Sequence, residues 1–129
     1  MSRWVIDTNV IIDASRSGGS ASAAASTFLE TAARTGELWS VTPVRTEVAW
    51  LMRPEESAVV HALFDRIFWL DVTVDIADRA AGFGQHYARS HGIGVVDAII
   101  AAAAEVLSAT VATRNVRHFP MFPGLTRPY

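Results

Sequence analysis

The chain of 129 residues contains neither cysteine nor lysine. Without cysteine, disulfides and thiolate metal sites are excluded, and the composition agrees with a reducing cytosol. All 11 basic residues are therefore arginine. A P-loop needs its lysine and a Schiff-base enzyme needs an amine, so neither kind of site can be built from this sequence.

Long apolar runs and a large net charge are missing as well. The longest apolar tract, residues 95–107, contains Asp97 and Glu105 and is too short to span a bilayer. Asp7 and Asn9 interrupt the apolar run that an N-terminal signal peptide would need. We therefore expect a soluble, cytoplasmic protein. The formal net charge is −2, so any contact with nucleic acid must come from local groups and not from overall charge.

Apolar residues make up half of the sequence, and 129 residues suit a single domain spanning 1–129. Strand-like apolar runs alternate with helix-like periodic segments, and the four predicted strands are residues 3–6, 38–42, 68–74 and 110–113. Strands separated by helices predict the α/β class, as a three-layer α/β/α sandwich with a central, mainly parallel sheet of four to five strands. The fifth would be a short edge strand in the C-terminal remainder.

Capping residues indicate where the helices begin and end. Ser20 or Ser22 is expected to cap a helix that closes at Gly36, and Thr42-Pro43 is typical of a helix start. The remaining predicted helices begin at Pro54, run from Asp75 to about Gly92, and cover residues 95–108.

Three carboxylates stand where they could form a site. Asp7 directly follows the first strand, Asp97 begins the most apolar helix, and Glu47 borders the apolar stripe of the helix after Thr42. In parallel sheets, sites form where loops leave the carboxyl ends of strands. Each acid also has an ordinary interpretation, since Asp7 and Asp97 could be helix caps and Glu47 could belong to a solvated helix face.

Four motifs follow one another along nearly the whole chain: VIDTN, TEV, GIGVVDAIIAAAA and VATRNVRHF. Together they resemble the PIN-domain nucleases and, more narrowly, the VapC-type toxins of bacterial type II toxin–antitoxin systems. The resemblance implies a PIN-like fold with an acidic cluster at the carboxyl edge of the sheet. The family's catalytic positions match Asp7, Glu47, Asp97 and Asn115, and its orienting hydroxyls match Thr8 and Thr113.

One position departs from the family pattern. An acid commonly precedes the phenylalanine of the last motif, and here that residue is His118. An imidazole adds positive charge below its pKa of about 6.5, and Asn115 offers an oxygen without a charge. Both residues should weaken a second cation more than the first, so we predict one tightly held metal ion. We expect His118 to face solvent rather than the cluster.

If the carboxylates converge, their mutual repulsion requires a cation. Two unit charges about 5 Å apart, at an effective dielectric constant of about 20, repel by roughly 3 kcal/mol. Three such pairs approach the whole stability of a domain, about 5–15 kcal/mol. Because all-oxygen ligands favour hard ions, we expect Mg²⁺, with Mn²⁺ as a substitute, bound directly by Asp7 and Asp97. Glu47 would bind or orient water, and Asn115 would be a neutral ligand or support one.

The resemblance implies a Mg²⁺-dependent endoribonuclease toxin that hydrolyses RNA phosphodiester bonds. Its partners would be RNA, a second copy in a homodimer, and a cognate antitoxin whose C-terminal segment lies along an apolar groove and sends an arginine into the acidic cluster. Trp39, Trp50 and Trp69 could line that groove, although a place in the core is the ordinary interpretation of each. Candidates for holding RNA phosphates, against an ordinary surface role, are Arg16, Arg45, Arg114 and Arg117.

Two other functions remain open. A phosphatase or phosphate-transfer domain could use Asp7 as its nucleophile, but there is no lysine partner and Asn9 stands where a second acid would be needed. A PIN-like protein-binding module with weak or no catalytic activity is the other alternative. Asn115 and His118 favour that alternative, whereas the three retained acids oppose it.

Overall fold

The computed structural model describes all 129 residues and contains four strands: β1 (Ser2–Ile6), β2 (Gly36–Val41), β3 (Phe68–Leu70) and β4 (Thr110–Ala112). They form one parallel sheet in the order β3-β2-β1-β4. The predicted α/β class with a four-stranded parallel sheet is confirmed. A fifth strand is absent, because the residues after β4 form a short 3-10 turn and irregular backbone in which proline removes hydrogen-bond donors.

Six helices flank this sheet: α1 (Thr8–Ser15), α2 (Ser22–Thr35), α3 (Thr42–Leu51), α4 (Ser57–Phe64), α5 (Val74–His91) and α6 (Val95–Leu107), with 3-10 turns at Pro54–Glu56 and Val116–His118. Helices α2, α3 and α4 each contact α1, and α5 packs along α6, which lies against β1, β2 and β4. None of the helices has both the length and the hydropathy to cross a membrane.

Two predicted helix boundaries are wrong. Neither Ser20 nor Ser22 caps α2, because the N-cap position is Ala21, whose backbone is already helical and whose side chain has no oxygen to accept a hydrogen bond. The third strand ends at Leu70 rather than at residue 74, and α5 begins at Val74. The reason is Thr73, whose hydroxyl accepts a hydrogen bond from the Ile76 amide at 3.2 Å and so caps α5.

The two glycines predicted to end helices behave differently. Gly92 ends α5 in the left-handed region, with φ 63°, as expected of a glycine at that position. Gly36 has a φ of −168° and is the first residue of β2, paired with Ser2 of β1. A β-carbon at Gly36 would collide with the backbone carbonyl oxygen of Ser2. Glycine is therefore required there by the close approach of two strands and not by the end of α2.

Gly36→Ala should destabilise the fold by about 1–3 kcal/mol, the range typical of overpacking, because backbone atoms of β1 cannot move away cheaply. The matched control is Gly82→Ala on α5, where an added β-carbon meets nothing within 4 Å. That substitution should stabilise the helix by up to about 1 kcal/mol. Urea unfolding of both variants measures the difference, and equal midpoints would contradict the close approach of β1 and β2.

The core fixes the ends of the elements that carry the acids. Val5 and Ile6 of β1 are fully buried, and so are the alanines of α6 at positions 101–103. Small side chains let α6 approach the sheet closely, which fixes its N-terminus relative to the end of β1. Asp7 and Asp97 are therefore brought to the same edge of the sheet by packing and not by sequence proximity.

Candidate metal centre

Asp7 leaves the end of β1 and is also the N-cap of α1. Its Oδ1 accepts a hydrogen bond from the Thr8 amide at 2.7 Å, and its Oδ2 accepts from the Thr113 hydroxyl at 2.7 Å and from Asn9 Nδ2 at 3.1 Å. The residue is only 5% exposed. The helix-cap interpretation of Asp7 is thus confirmed, and its role in a site stays a prediction that the same carboxylate is free to fulfil.

Thr113 follows β4, the strand next to β1, and its direction of donation is fixed. Its Oγ1 accepts from the Asn115 amide at 3.0 Å and from Asn9 Nδ2 at 3.3 Å, so its hydrogen points to Asp7. Asn9 in turn accepts a hydrogen bond from the Arg114 amide at 3.1 Å. Thr113 therefore holds one oxygen of Asp7 in place, and its role in a site stays a prediction. Asn9, which was not among the predicted residues, donates to the same oxygen.

Thr8 orients a different carboxylate. Its hydroxyl donates to Glu47 Oε1 at 2.7 Å, which ties the first turn of α1 to α3. Glu47 is half-buried, so the interpretation as a freely solvated face does not apply. The backbone amide of Thr8 therefore donates to Asp7 while its hydroxyl donates to Glu47, so one residue holds both acids in place.

Asp97 lies in the first turn of α6, where its Oδ2 accepts a hydrogen bond from the Gly94 amide at 3.1 Å. The same oxygen is 3.4 Å from Nδ1 of His118, and the His118 side chain is 23% exposed. The expectation that His118 faces solvent is wrong. Phe119, which is fully buried beside it, anchors the 3-10 turn and so directs His118 toward α6.

These residues line one cleft of about 580 Å³. No group of three carboxylate or imidazole side chains is already close enough together to hold a metal ion. The acids instead lie in three hydrogen-bonded settings around the cleft: Asp7 with Thr113, Glu47 with Thr8, and Asp97 with Gly94. Cleft-lining residues with functional polar groups are Asp7, Thr8, Asn9, Asp13, Arg16, Glu47, Asp97, Arg114, Asn115 and His118.

The negative charge of the cleft is not neutralised by the protein. Burial raises the pKa of Asp7, and the charges of Asp97 and Glu47 raise it further, against the lowering effect of hydrogen bonds from Thr113 and Thr8. Both arginines that line the cleft are already in ion pairs, Arg16 with Glu56 at 3.5 Å and Arg114 with Asp13, which lines the cleft too. An oxygen-rich cleft with excess negative charge fits a hard divalent cation.

Only two of the four candidate arginines reach the cleft. Arg16 and Arg114 line it, but Arg45 places its guanidinium 4.5 Å from the centre of the Phe64 ring and 5.2 Å from that of Trp69. Arg117 is exposed and does not line the cleft. Arg45 is thus used for cation–π packing on α4 and β3, because both lie beside α3.

Asp13 is a second residue of the cleft that the sequence analysis missed. Arg114 Nη2 donates to its Oδ1 at 3.2 Å, and the Tyr129 hydroxyl donates to its Oδ2 at 2.6 Å. The pKa of Tyr129 is raised above its usual value, mainly by burial and to a smaller extent by the hydrogen bond to Asp13. Asn9 and Asp13 are four residues apart on one helix, and this spacing on a single face could have indicated both.

Of the three tryptophans considered for the groove, two are engaged in packing within the fold and one is exposed. Trp39 packs on Phe68, and Trp69 donates to the Phe64 carbonyl at 3.1 Å. Trp50 is 82% exposed. It lines a second cleft of about 590 Å³, largely apolar, which shares three residues with the acidic one: Glu47, Leu51 and Val96.

Comparison with known proteins supports one family. The sequence profile described as "PIN domain" matches residues 4–122. A Mycobacterium tuberculosis protein named "Ribonuclease VapC19" is 40% identical over 127 residues, 97% of this chain and 98% of that protein. "Ribonuclease VapC10" of the same organism is 37% identical over 107 residues, 82% of this chain and 80% of that protein. DNA-bound VapBC from Salmonella typhimurium shares the fold, with a TM-score of 0.74 at 21% identity, covering 98% of this chain and 97% of that chain.

Proposed function

Since the chain belongs to the PIN-domain family, as its motifs predicted, we propose that it is a divalent-metal-dependent endoribonuclease and the toxin of a toxin–antitoxin pair. The observation that carries this proposal is the single cleft that Asp7, Glu47 and Asp97 line, each oriented by its own hydrogen bond. Relatives named ribonucleases, at up to 40% identity, support the choice of RNA as substrate.

Asp7 and Asp97 would hold the ion, with Asn115 as a neutral oxygen beside them. When bound, a divalent cation supplies Lewis-acid activation of a phosphate and of water. The protein's own task is to hold those carboxylates in fixed positions, which Thr113 and Asn9 do for Asp7 and the Gly94 amide does for Asp97. A fixed charge needs no reorganisation during the reaction.

Glu47 would orient a water and accept its proton. Its Oε1 is occupied by the Thr8 hydroxyl, which leaves Oε2 without a protein donor on the cleft side. Arg114 and Arg16 lie on the rim and would hold phosphates of the RNA backbone. Asp13 keeps the guanidinium of Arg114 in place, since Arg114 Nη2 donates to it.

The two alternatives fit the geometry less well. A phosphatase would need Asp7 as a nucleophile, but its carboxylate is 5% exposed and both oxygens already accept hydrogen bonds. A module that only binds protein would gain nothing from a buried carboxylate whose raised pKa reflects a cost in stability. Perturbed carboxylates kept in a cleft are typical of functional sites.

Purified protein should cleave a mixed population of single-stranded RNA when Mg²⁺ or Mn²⁺ is present, and lose this activity in EDTA. The reason is that the acids repel one another and the substrate phosphate unless a cation lies between them. Product lengths on a denaturing gel provide the measurement. Cleavage that is indifferent to EDTA, or no cleavage of any RNA offered, would overturn the nuclease proposal.

The antitoxin would occupy the apolar cleft around Trp50. This cleft is continuous with the acidic one through Glu47, Leu51 and Val96, so a peptide lying in it could extend an arginine to the uncompensated carboxylates. A partner is supported by the structural relative from Salmonella typhimurium, which is a VapBC complex. Desolvating an exposed tryptophan is a common source of interface affinity.

Trp50→Asp should weaken the complex with the product of the adjacent upstream gene by at least about 30-fold, since central aromatic residues contribute about 2 kcal/mol or more. Val59→Asp on α4, also an exposed apolar position, is the matched control and should bind normally. Co-purification followed by interferometry measures both. No stable wild-type complex at micromolar concentration would exclude this partner.

The homodimer also belongs to the proposal. Val74 and Val95, at the starts of α5 and α6, are exposed apolar side chains outside the Trp50 cleft. Between these helices lies a further apolar groove lined by small residues. This groove supports self-association, and it adjoins the acidic cleft at Gly94 and Val95.

A further inference from the structure

Tyr129 connects the irregular segment after β4 to helix α1. Its hydroxyl donates to Asp13 Oδ2 at 2.6 Å. Its ring lies 6.5 Å from the ring of Phe28 on α2, which in turn meets Trp4 of β1 edge-on at 5.1 Å. Residues 126–129 make no other hydrogen bond. Aromatic packing therefore fixes the ring of Tyr129, and the one polar attachment of residues 126–129 is the bond to Asp13.

The carboxylate of Asp13 is shared between Tyr129 and Arg114. Arg114 Nη2 donates to Oδ1 at 3.2 Å. Its Nε lies 2.6 Å from Oδ2, the oxygen that accepts from Tyr129, but without hydrogen-bond geometry. Only one of the two contacts between Arg114 and Asp13 is thus a hydrogen bond. Because that bond depends on the direction of Oδ1, the hold on Arg114 depends on how the plane of the carboxylate is set.

The Tyr129 hydroxyl sets that plane. The Asp13 side chain is only 13% exposed, so little water can reach it, and a fixed donor takes the place of solvent on Oδ2. Since burial and this hydrogen bond raise the pKa of Tyr129, its hydroxyl stays protonated and remains a donor at neutral and mildly alkaline pH.

Arg114 is held along one edge of its guanidinium. Nη2 and Nε face Asp13, whereas Nη1 donates to no protein group, although the residue lines the acidic cleft. A planar guanidinium that is fixed along one edge presents its remaining N–H groups in a defined direction. Binding of a phosphate by two parallel hydrogen bonds requires such a direction.

We propose that Tyr129 is a positioning residue for RNA binding, which acts through Asp13 to set the direction in which Arg114 meets a backbone phosphate. The assignment rests on the proposed nuclease function, in which Arg114 holds the substrate. Tyr129 does not line the acidic cleft, so it reaches the phosphate only through the other two residues. It should therefore affect how tightly RNA is bound and not the chemical step.

Tyr129→Phe removes the hydroxyl and keeps the ring. With the full-length chain, Mg²⁺ and one short single-stranded RNA that the wild type cleaves, KM should rise roughly 3- to 10-fold, the cost of ordering one side chain on binding. The value of kcat should be unchanged. Tyr87→Phe, at the other of the two tyrosines, is the matched control. Tyr87 packs beside His86 and His91 on α5 and does not line the acidic cleft, so KM should not change.

A double-mutant cycle separates positioning from a purely structural role. RNA affinity is measured by fluorescence anisotropy in Glu47→Gln protein, so that cleavage does not interfere. Arg114→Gln should weaken binding and reduce its salt slope by about one, as for the loss of one phosphate contact. With Arg114→Gln present, Tyr129→Phe should have no further effect on affinity. A residue that only stabilised the fold would lower the urea midpoint and leave RNA affinity unchanged in both backgrounds.

The two proposals fail in different ways. If Tyr129→Phe binds RNA as the wild type does, or if its effect adds fully to that of Arg114→Gln, the positioning role is overturned while the nuclease proposal stands. If the wild type neither binds nor cleaves RNA, both are overturned. Should Tyr129→Phe not fold, Asp13→Asn is the second variant, because it gives up the charge that holds Arg114 and keeps the shape of the side chain. It should raise KM at least as much, and an unchanged KM would overturn the assignment.

Discussion

Asp7→Ala is expected to abolish the growth arrest caused by the wild-type protein and to lower RNA cleavage by at least about 100-fold. Mutating a residue that only supports a metal ligand lowers activity by up to about 100-fold. Because Asp7 would be a ligand itself, its loss should cost at least as much. Its carboxylate is held by Thr8, Thr113 and Asn9. No neighbouring acid is held in the same way, so none can replace it.

The alanine variant also loses a helix cap, which costs about 1 kcal/mol, and leaves the Thr113 hydroxyl without its acceptor. Asp7→Asn is therefore the companion variant, because asparagine also caps helices and keeps the shape of the side chain. Asp75→Ala, an exposed acid paired with Arg79 on α5, is the matched control and should remain fully toxic. Equal toxicity of wild type and both Asp7 variants at matched soluble levels would rule out catalysis by this cleft.

Mn²⁺ or Mg²⁺ should raise the melting temperature of the free protein through mass action. At a concentration 100 times its Kd, a ligand stabilises by about 2.7 kcal/mol, which for a domain of this size corresponds to roughly 10 °C. Asp97→Asn should remove most of this shift while preserving the oxygen that accepts from the Gly94 amide. Glu105→Gln, exposed on the same helix, is the control.

The metal-induced shift should depend on pH with a definite sign. Because the pKa of Asp7 is raised in the folded protein, a protonated Asp7 favours the fold over the unfolded chain. This contribution to stability is lost as the pH rises through the raised pKa. A bound cation needs the ionised form. The shift should therefore be small near pH 4 and grow above it. Calorimetry should find one ion per chain, and no bound ion at millimolar concentration would remove the basis of the site.

Periodicity and capping chemistry predicted most of the fold. The alternation of strands and helices was sufficient for the parallel sheet, and Gly92 was correctly assigned because a left-handed helix end is a local property. Gly36 does end α2, as predicted, but its backbone is extended, and glycine is needed there because of the approach of Ser2, 34 residues away in sequence. The start of α5 was misplaced since Asp75 and Thr73 are both plausible caps, and only the observed hydrogen bond separates them.

The sequence predicted the three acids of the cleft and some of the residues around them, but not Asn9 or Asp13. Asp7, Glu47 and Asp97 were identified by motifs whose order along the chain is distinctive, and all three line one cleft. Arg45 was expected near it, but it stacks on two aromatic rings whose position depends on how α4 packs. Side-chain direction of this kind follows from neighbours in space, which one sequence does not specify.

The sequence by itself determined the chemistry that is possible here: no thiolate, no lysine amine, and candidate carboxylates at the end of β1 and within α3 and α6. The tertiary structure decided which groups meet. Thr113 reaches Asp7 across 106 residues and Tyr129 reaches Asp13 across 116, and the turn before Phe119 brings His118 to Asp97. Sequence spacing predicts which residues are neighbours within one helix or strand. The contact between Thr113 and Asp7, in contrast, exists because β1 and β4 are adjacent in the sheet.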